Sequence, residues 1–434
     1  MSERNAYYIT AEALAARGLE NIPAELQSSA HLIYSSPAAL SFNSPGAQGF
    51  GVKRAGLAIP GSVMLLVSPG CCGRNTTILS RLGGYSDRFF YLLMDDTDIV
   101  TGRHLNKIPD AVKEVVEAME EPPTVVMICI TCVDALLGTD MERVCRKASE
   151  AAGLPVLPCY MYALTREGRE PPMNAVRKSI YSLLEKTDRD SSTVNLMGEF
   201  APLTDDSEIY ELLYSAGVKK INEISRLESY EEYLGMAKAN FNIVINPECR
   251  LAANDLSKRA GIPYVELRKL HHTERIRRQY ELFAGGIGIS LDDTPYREKA
   301  EKEVERFCQK FPGTTFAIGE TLNGESFEIA LSLLRYGHKV SEIYATVSAE
   351  NFVYVKKIAE LSPQTRIYTN LSPSMMHYNC SEAPADMTIG ADAAYYQPDA
   401  PNVPWNQEIQ PFGYAAVSQL FRELYEARER RAGR

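Results

Sequence analysis

No stretch of the 434-residue chain is apolar for long enough to cross a membrane as a helix. The longest apolar runs, such as Val63–Val67 and Val125–Ile130, are strand-sized, well short of the ~18 residues that a span needs. Basic excess is missing too. The net charge of −10 withholds the positive footprint that nonspecific nucleic-acid binding requires. The one dense basic stretch, Arg268–Lys269 through Arg275–Arg278, reads as a solvated helix face. The opening residues, MSERNAYYITAEALAARG, have no apolar core and no cleavage signature, so no secretion signal is expected and the cytoplasm is the expected compartment. The glycine-rich elements spell neither G-x-x-x-x-G-K-[ST] nor G-x-G-x-x-G after a strand, so this chain is not expected to be an ATPase. Nine cysteines, an odd number spread over a long chain without a signal, do not make a disulfide scaffold.

What is present is alternation. Short apolar runs that read as strands are separated by helical stretches, the pattern of βαβ units with parallel sheets. SVMLLV (62–67), FFYLL (89–93), PPTVVMICI (122–130) and LPVLP (154–158) are strand runs of a first α/β domain, with an amphipathic helix at 107–119. The stretch 170–192 reads as mostly helix with a polar end. A second unit carries TVNLM (193–197), NIVI (242–245) and GIPYVEL (261–267), and 273–311 reads as a charged helical bridge. A third runs from TTFAIGE (314–320) through EIYATV, RIYTN and DMTIG to a helical tail. The expected fold is α/β: three Rossmann-like parallel-sheet domains with helices on both faces, at 20–190, 191–285 and 286–434.

Two sites are placed to carry chemistry. Cys71 and Cys72 lie in a Gly-rich loop directly after a buried strand, and Cys132 lies directly after another. In parallel α/β sheets the carboxyl ends of the strands form the ligand crevice. Thiolates there can hold an iron–sulfur cluster, and Gly70 and Gly73 would let backbone amides approach its sulfides. The alternative for each is a buried structural thiol. Cys129 stands within an apolar strand and reads as core; Cys145, Cys159 and Cys308 fall in helix or strand patterns. Cys380 and His377 share a polar loop. A nucleophilic cysteine is a competing reading, because a helix N-terminus lowers a thiol pKa, but none of the six histidines is marked as its base. The acidic run MDDTDIVTG (94–102) could bind a metal, with an exposed loop as the plain alternative.

The order and spacing of these pieces resemble the component 1 proteins of the nitrogenase superfamily. That superfamily includes the molybdenum–iron protein subunits, the protochlorophyllide and chlorophyllide reductase catalytic subunits, and the reductive cyclase of nickel-tetrapyrrole biosynthesis. VSPGCCGRNT looks like the family's H-G-x-x-G-C segment, with Cys72 on its cluster cysteine. LLMDDTDIVTGRHLNKIPDAVKEV is similar to its acidic turn, Gly and helix. PPTVVMICITCVDALLGTDM resembles its strand–T-T-C–helix segment, with Cys132 on the second cluster cysteine and Gly138 and Asp140 near the trailing G-D-D. NIVINPECRLAANDLSKRAGIPYVEL resembles the middle-domain strand, helix and G-I-P, and TIGADAAYYQPDAPNVPWNQEIQPFGYAAVSQL the last segment. The resemblance spans roughly residues 40–425.

The chain departs from the family at three places. The family's first cluster cysteine would fall near Asn43–Ala47, and FNSPGAQG has none. The cofactor-holding histidine would lie near Phe412. Cys249 lies near the cofactor cysteine, at a shorter distance from Gly-Ile-Pro. Two thiols per chain imply one [4Fe–4S] cluster shared by two subunits, with Cys71 as a possible extra ligand. The resemblance implies a reductase subunit that takes electrons from a separate ATP-dependent iron protein. It would form a homodimer, or a heterodimer or heterotetramer with a related component 1 chain. Candidate pocket residues are His377, Cys380 and Cys249. Two other functions stay open: a noncatalytic partner or cofactor-assembly scaffold of the same superfamily, and a cluster-free α/β enzyme or binding protein.

Overall fold

In chain order the strands are Ile9–Thr10 (β1), Val63–Ser68 (β2), Phe89–Leu93 (β3), Val126–Ile130 (β4), Val156–Tyr160 (β5), Asp190–Met197 (β6), Lys220–Glu223 (β7), Ala239–Val244 (β8), Tyr264–Glu266 (β9), Thr315–Ile318 (β10), Lys339–Tyr344 (β11), Arg366–Tyr368 (β12), Met387–Ile389 (β13) and Asn402–Val403 (β14). The computed structural model describes residues 5–27, 55–70, 77–78, 80–81, 84–130, 133, 137–160 and 170–432.

The apolar runs became central strands because both their faces are covered. β2 and β4 are buried at every position. Alternate residues feed two separate cores: Met64, Leu66, Met127 and Cys129 on one face, and Val63, Leu65, Val67, Ile128 and Ile130 on the other. At about 1.5–3 kcal/mol for each large apolar side chain removed from water, such a strand is stable only between two helical layers. Helix His104–Ala118 supplies part of one layer, burying Ile108, Val112 and Val115 at a spacing of three to four residues.

Three sheets result, with strand orders β3-β2-β4-β5, β7-β6-β8-β9 and β1-β12-β11-β10-β13-β14. Every pairing is parallel except β1 with β12, which run antiparallel. This is the α/β architecture expected. In each sheet the chain leaves one strand to one side and later returns to its other side. The reversal falls between β2 and β4, between β6 and β8, and between β10 and β13.

Compactness groups the chain differently from three consecutive domains. One unit takes residues 44–202 and 217–268 and contains the first two sheets; the other takes 1–43, 203–216 and 269–434 and contains the six-stranded sheet. The expected bridge at 273–311 forms helices Thr273–Ile287 and Thr294–Lys310 within the second of these. The helix expected over 170–192 ends at Ile180, and β6 already starts at Asp190. There the Asp190 carboxylate accepts from Ser192 N–H (2.9 Å) and the Thr193 hydroxyl (2.7 Å), a local turn that competes with helix. Among the described residues no helix is long and apolar enough to cross a membrane.

Candidate functional site

The first sheet reverses its strand order between β2 and β4, whose last paired residues are Val67 and Ile130. Parallel sheets hold ligands outside the carboxyl ends of the strands at such a reversal. Chain connectivity starts Cys132 two residues beyond Ile130 and Cys72 four beyond Ser68, so both segments leave from the same end of neighbouring strands. Cys71, Cys72, Gly73 and Cys132 themselves lie outside the described residues. Gly70 is described and exposed; a Cβ there would meet no described atom within 4 Å, so packing does not demand glycine at this position.

Leu93 (61% exposed) ends β3, and Ile78 (60%), Val100 (85%) and Leu137 (50%) lie in the segments of chain that follow β2, β3 and β4. The acidic run beside them is a short helix, Asp96–Thr101, rather than an exposed loop. Asp95 accepts from Asp98 N–H at 2.7 Å while Asp98 accepts from Asp95 N–H at 3.3 Å, a capping box that starts the helix. Buried Asp98 also takes Lys107 (2.8 Å) and Arg103 (2.9 Å), and the hydrogen bonds from these cations hold its carboxyl far below the usual range. Its oxygens are committed internally, which leaves this run poorly suited to a metal ion.

The other cysteines separate clearly. Cys129 and Cys159 are fully buried and face each other across β4 and β5. Cys145 is buried in helix Met141–Ala152, and burial pushes its thiol up to about 12. Cys249 follows β8 in a one-turn helix. Burial pushes its thiol up to about 12 despite the nearby Arg177 guanidinium, which is itself paired with Glu248 at 2.7 Å. His377 and Cys380 lie in successive short turns after β12, in the other compact unit from Cys249. The nucleophilic-cysteine reading meets one Cys–His pair among the described residues, Cys308 Sγ to His338 Nε2 at 3.3 Å. Burial lowers the imidazole to about 4 and raises the thiol, so both are neutral near pH 7 and no thiolate is formed there.

The carboxyl end of the six-stranded sheet holds residues that no sequence motif flagged. After β10, Gly319 carries no side chain because a Cβ would fall on the Asp392 carboxylate. Asp392 accepts from the amides of Glu320 (2.7 Å) and Thr321 (3.1 Å) and from Asn370 Nδ2 (2.7 Å). These amides form the kind of nest that binds an external anion elsewhere; here the protein fills it itself. Burial pushes Glu320 and Glu325 up to about 8. Glu325 caps helix Ser326–Arg335 by accepting from Glu328 N–H at 2.6 Å. Earlier in the chain, buried Glu208 caps helix Tyr414–Ala432, accepting from Tyr414 N–H (2.7 Å), Ala415 N–H (3.1 Å) and the Tyr280 hydroxyl (2.7 Å). Periodicity could not have found these, because the bonds join residues 71 to 207 positions apart, except Asn370 to Asp392 at 22 and the local Glu325 cap.

The matching family model, described as nitrogenase component 1 type oxidoreductase, covers residues 47–428. The chain belongs to this family. The chain is similar to the nitrogenase iron-molybdenum cofactor biosynthesis protein NifE of Rhizobium meliloti (strain 1021), 26% identical over 349 residues that make up 75% of this chain and 72% of that one. It is 23% identical to the nitrogenase molybdenum-iron protein alpha chain of Methanosarcina barkeri over 52% of this chain and 44% of that one. A solved structure described as nitrogenase Cp1 at pH 6.5 shares the fold, with a TM-score of 0.71 at 14% identity over 89% of this chain and 92% of that one. The component 1 fold and the family are thus established.

Proposed function

We propose that this chain is a scaffold subunit that holds a metal–sulfur cofactor, or a precursor of one, and passes it on. The observation that carries this reading is Phe412. The family's cofactor-holding histidine is expected near this position, but here a phenyl ring is buried (1% exposed), with its backbone N–H donating to the Ser207 hydroxyl at 3.1 Å. A chain without that imidazole does not anchor a cofactor through the usual pair. Weak anchoring suits release, and the resemblance to cofactor biosynthesis proteins points the same way.

Cys72 and Cys132, with Cys71 as a further candidate, would hold a [4Fe–4S] cluster at the carboxyl end of the first sheet. Two thiolates from each of two chains match the four that such clusters take. When bound, the cluster supplies one-electron chemistry. The exposed Ile78, Leu93, Val100 and Leu137 fit the face on which a second component 1 type chain would dock, since an apolar patch in water marks an interface. An ATP-dependent iron protein is the proposed electron donor, and the cytoplasm the proposed compartment.

The test is transfer. Protein purified without oxygen and labelled with radioactive iron is mixed with a metal-free component 1 enzyme, and the label is followed. Movement of iron together with recovery of the acceptor's activity supports the scaffold. ATP-dependent substrate reduction by this chain itself, without transfer, would establish the reductase reading instead. No iron or sulfide after reconstitution sinks both and leaves a cluster-free protein. Cys72→Ala is expected to lose the iron that the wild type holds.

A further inference from the structure

We infer that Tyr344 and Tyr378 are a redox-active pair that gives up an electron while Glu342 takes the proton, and that the rings around them connect the pair to the surface. This goes beyond the cofactor-carrying reading and does not rest on it. Strand register assembles the group within one compact unit. Glu342 and Tyr344 stand two apart on β11 and so share a face. Tyr368 on β12 is the register partner of Tyr344. Tyr378 follows β12, and Tyr396 ends helix Ala391–Tyr396 after β13. Ring centroids lie 5.7 Å apart for Tyr344 and Tyr368, 5.7 Å for Tyr344 and Tyr378, 4.6 Å for Tyr344 and Tyr396, and 5.3 Å for Tyr378 and Tyr396. The cluster reaches water at both ends. Tyr8 (38% exposed) is 5.4 Å from Tyr368, and Tyr395 (51% exposed) is 5.2 Å from Tyr396.

Phenyl rings alone would fill this core; the hydroxyls add a shared proton acceptor. Tyr344 and Tyr378 both donate to Glu342 Oε2 at 2.6 Å, and Gln397 Nε2 donates to the same oxygen at 3.0 Å. Gln397 Nε2 also donates to the Tyr378 hydroxyl at 2.7 Å, which holds that phenol against the carboxylate. Glu342 is fully buried, and its Oε1 has no hydrogen-bond partner among the described residues; Arg366 stands 3.9 Å from it. A carboxylate oxygen left open in the interior can receive a further proton without a bond being broken. Burial, and after it the Glu342 charge, holds both phenols above their usual range, so neither ionises near pH 7. A phenol in that state loses an electron only as its proton moves to a bonded acceptor, and the 2.6 Å bonds provide one.

The reactant is a one-electron oxidant of high potential, of the class formed when dioxygen or peroxide meets reduced iron. It takes one electron from Tyr344, and the hydroxyl proton of Tyr344 passes to Glu342. The O–H bond breaks, a neutral phenoxyl radical and a carboxylic acid form, and the oxidant is reduced by one electron. As the vacancy moves through Tyr396 to Tyr395, Tyr344 recovers its electron and, from Glu342, its proton. Tyr395 releases its own proton to water. A small thiol then returns one electron and one proton to Tyr395 and is itself oxidised. The pair thus consumes oxidants that would otherwise attack other side chains.

The experiment is photo-oxidation of the full chain under argon, with ruthenium tris-bipyridine as the oxidant and a cobalt(III) ammine as its electron acceptor, followed by freezing and high-field EPR. A phenoxyl radical with the g-tensor of a hydrogen-bonded phenol is expected in the wild type, outlasting the radicals on exposed tyrosines. That signal should be lost when Tyr344→Phe and Tyr378→Phe are combined. It should also be lost in Glu342→Gln, which keeps the shape of the acceptor without its affinity for a proton. Thermal unfolding shows whether each variant is folded. A signal that survives either change in a folded variant, or only short-lived surface radicals in the wild type, overturns the inference. Should those variants fail to fold, Tyr378→Phe alone, at the half-buried ring, is expected to lower the yield and shift the g-tensor; an unchanged spectrum there also overturns it.

Discussion

The carboxyl ends of the first sheet and of the six-stranded sheet share a topology and differ in chemistry. Both sit where the strand order reverses, between β2 and β4 in one and β10 and β13 in the other. At the first, exposed Leu93, Val100, Ile78 and Leu137 lie in the segments that end or follow β2, β3 and β4. At the other, the polar groups turn inward: Asp392 fills the amide nest after β10, Glu325 caps the next helix, and Glu328 orients His271. Topology thus says where a crevice lies. Whether it faces a partner, a cluster or the protein's own carboxylates is a matter of side chains.

The largest expected effect breaks the closed end. Asp392→Ala removes the acceptor for two half-buried amides and for buried Asn370, and a stranded set of this size costs about 3–5 kcal/mol. Urea unfolding monitored by circular dichroism checks it; a loss below about 1 kcal/mol would mean that water replaces the carboxylate.

Next comes pH. Burial pushes Glu208 from 4.5 up to about 7, against the hydrogen bonds that favour its ionised form. A raised carboxyl favours the folded state while protonated, so its contribution is full below about pH 4.5 and is lost as pH rises through about 7. The swing is on the order of 3 kcal/mol. Glu208→Gln should flatten the fall in stability over that window, measured as unfolding midpoints at several pH values. An unchanged slope would place the titration elsewhere, with Glu320 and Glu325, raised to about 8, as the next groups to substitute.

A smaller effect sharpens the contrast between cysteines. Cys129→Ser puts a hydroxyl into the fully buried face of β4 and should cost about 1–3 kcal/mol without loss of iron. Cys72→Ala should do the opposite. If Cys129→Ser loses iron as readily as Cys72→Ala, the division between core and cluster thiols is wrong.

The smallest effect on stability is expected at Val100, 85% exposed. Val100→Glu should stay within about 0.5 kcal/mol of the wild type in thermal unfolding. It should nonetheless weaken association with a second component 1 chain, read by sedimentation velocity. Unaltered association would move the interface away from this face.

Fold class was legible because parallel sheets bury both faces of their strands, and such strands leave unbroken apolar runs like VVMICI that need no long-range knowledge to read. The shortest strands were harder. β1 and β14 have two residues each and exist only because β12 and β13 lie beside them. The same limit hid the site residues. A cysteine directly after an apolar run announces its place at a strand end, so Cys72 and Cys132 could be singled out from order alone. Asp392 could not, because its meaning lies in amides 71 and 72 positions away.

By itself, then, the sequence determined the α/β class, the strand ends from which the candidate cluster cysteines depart, and the family, all of which depend on local order and spacing. Only the tertiary structure decided which thiols are neutral and buried, which amide nests are already filled, and which imidazole a buried carboxylate orients. Those properties depend on desolvation and on partners brought together across the chain, and no local pattern encodes them.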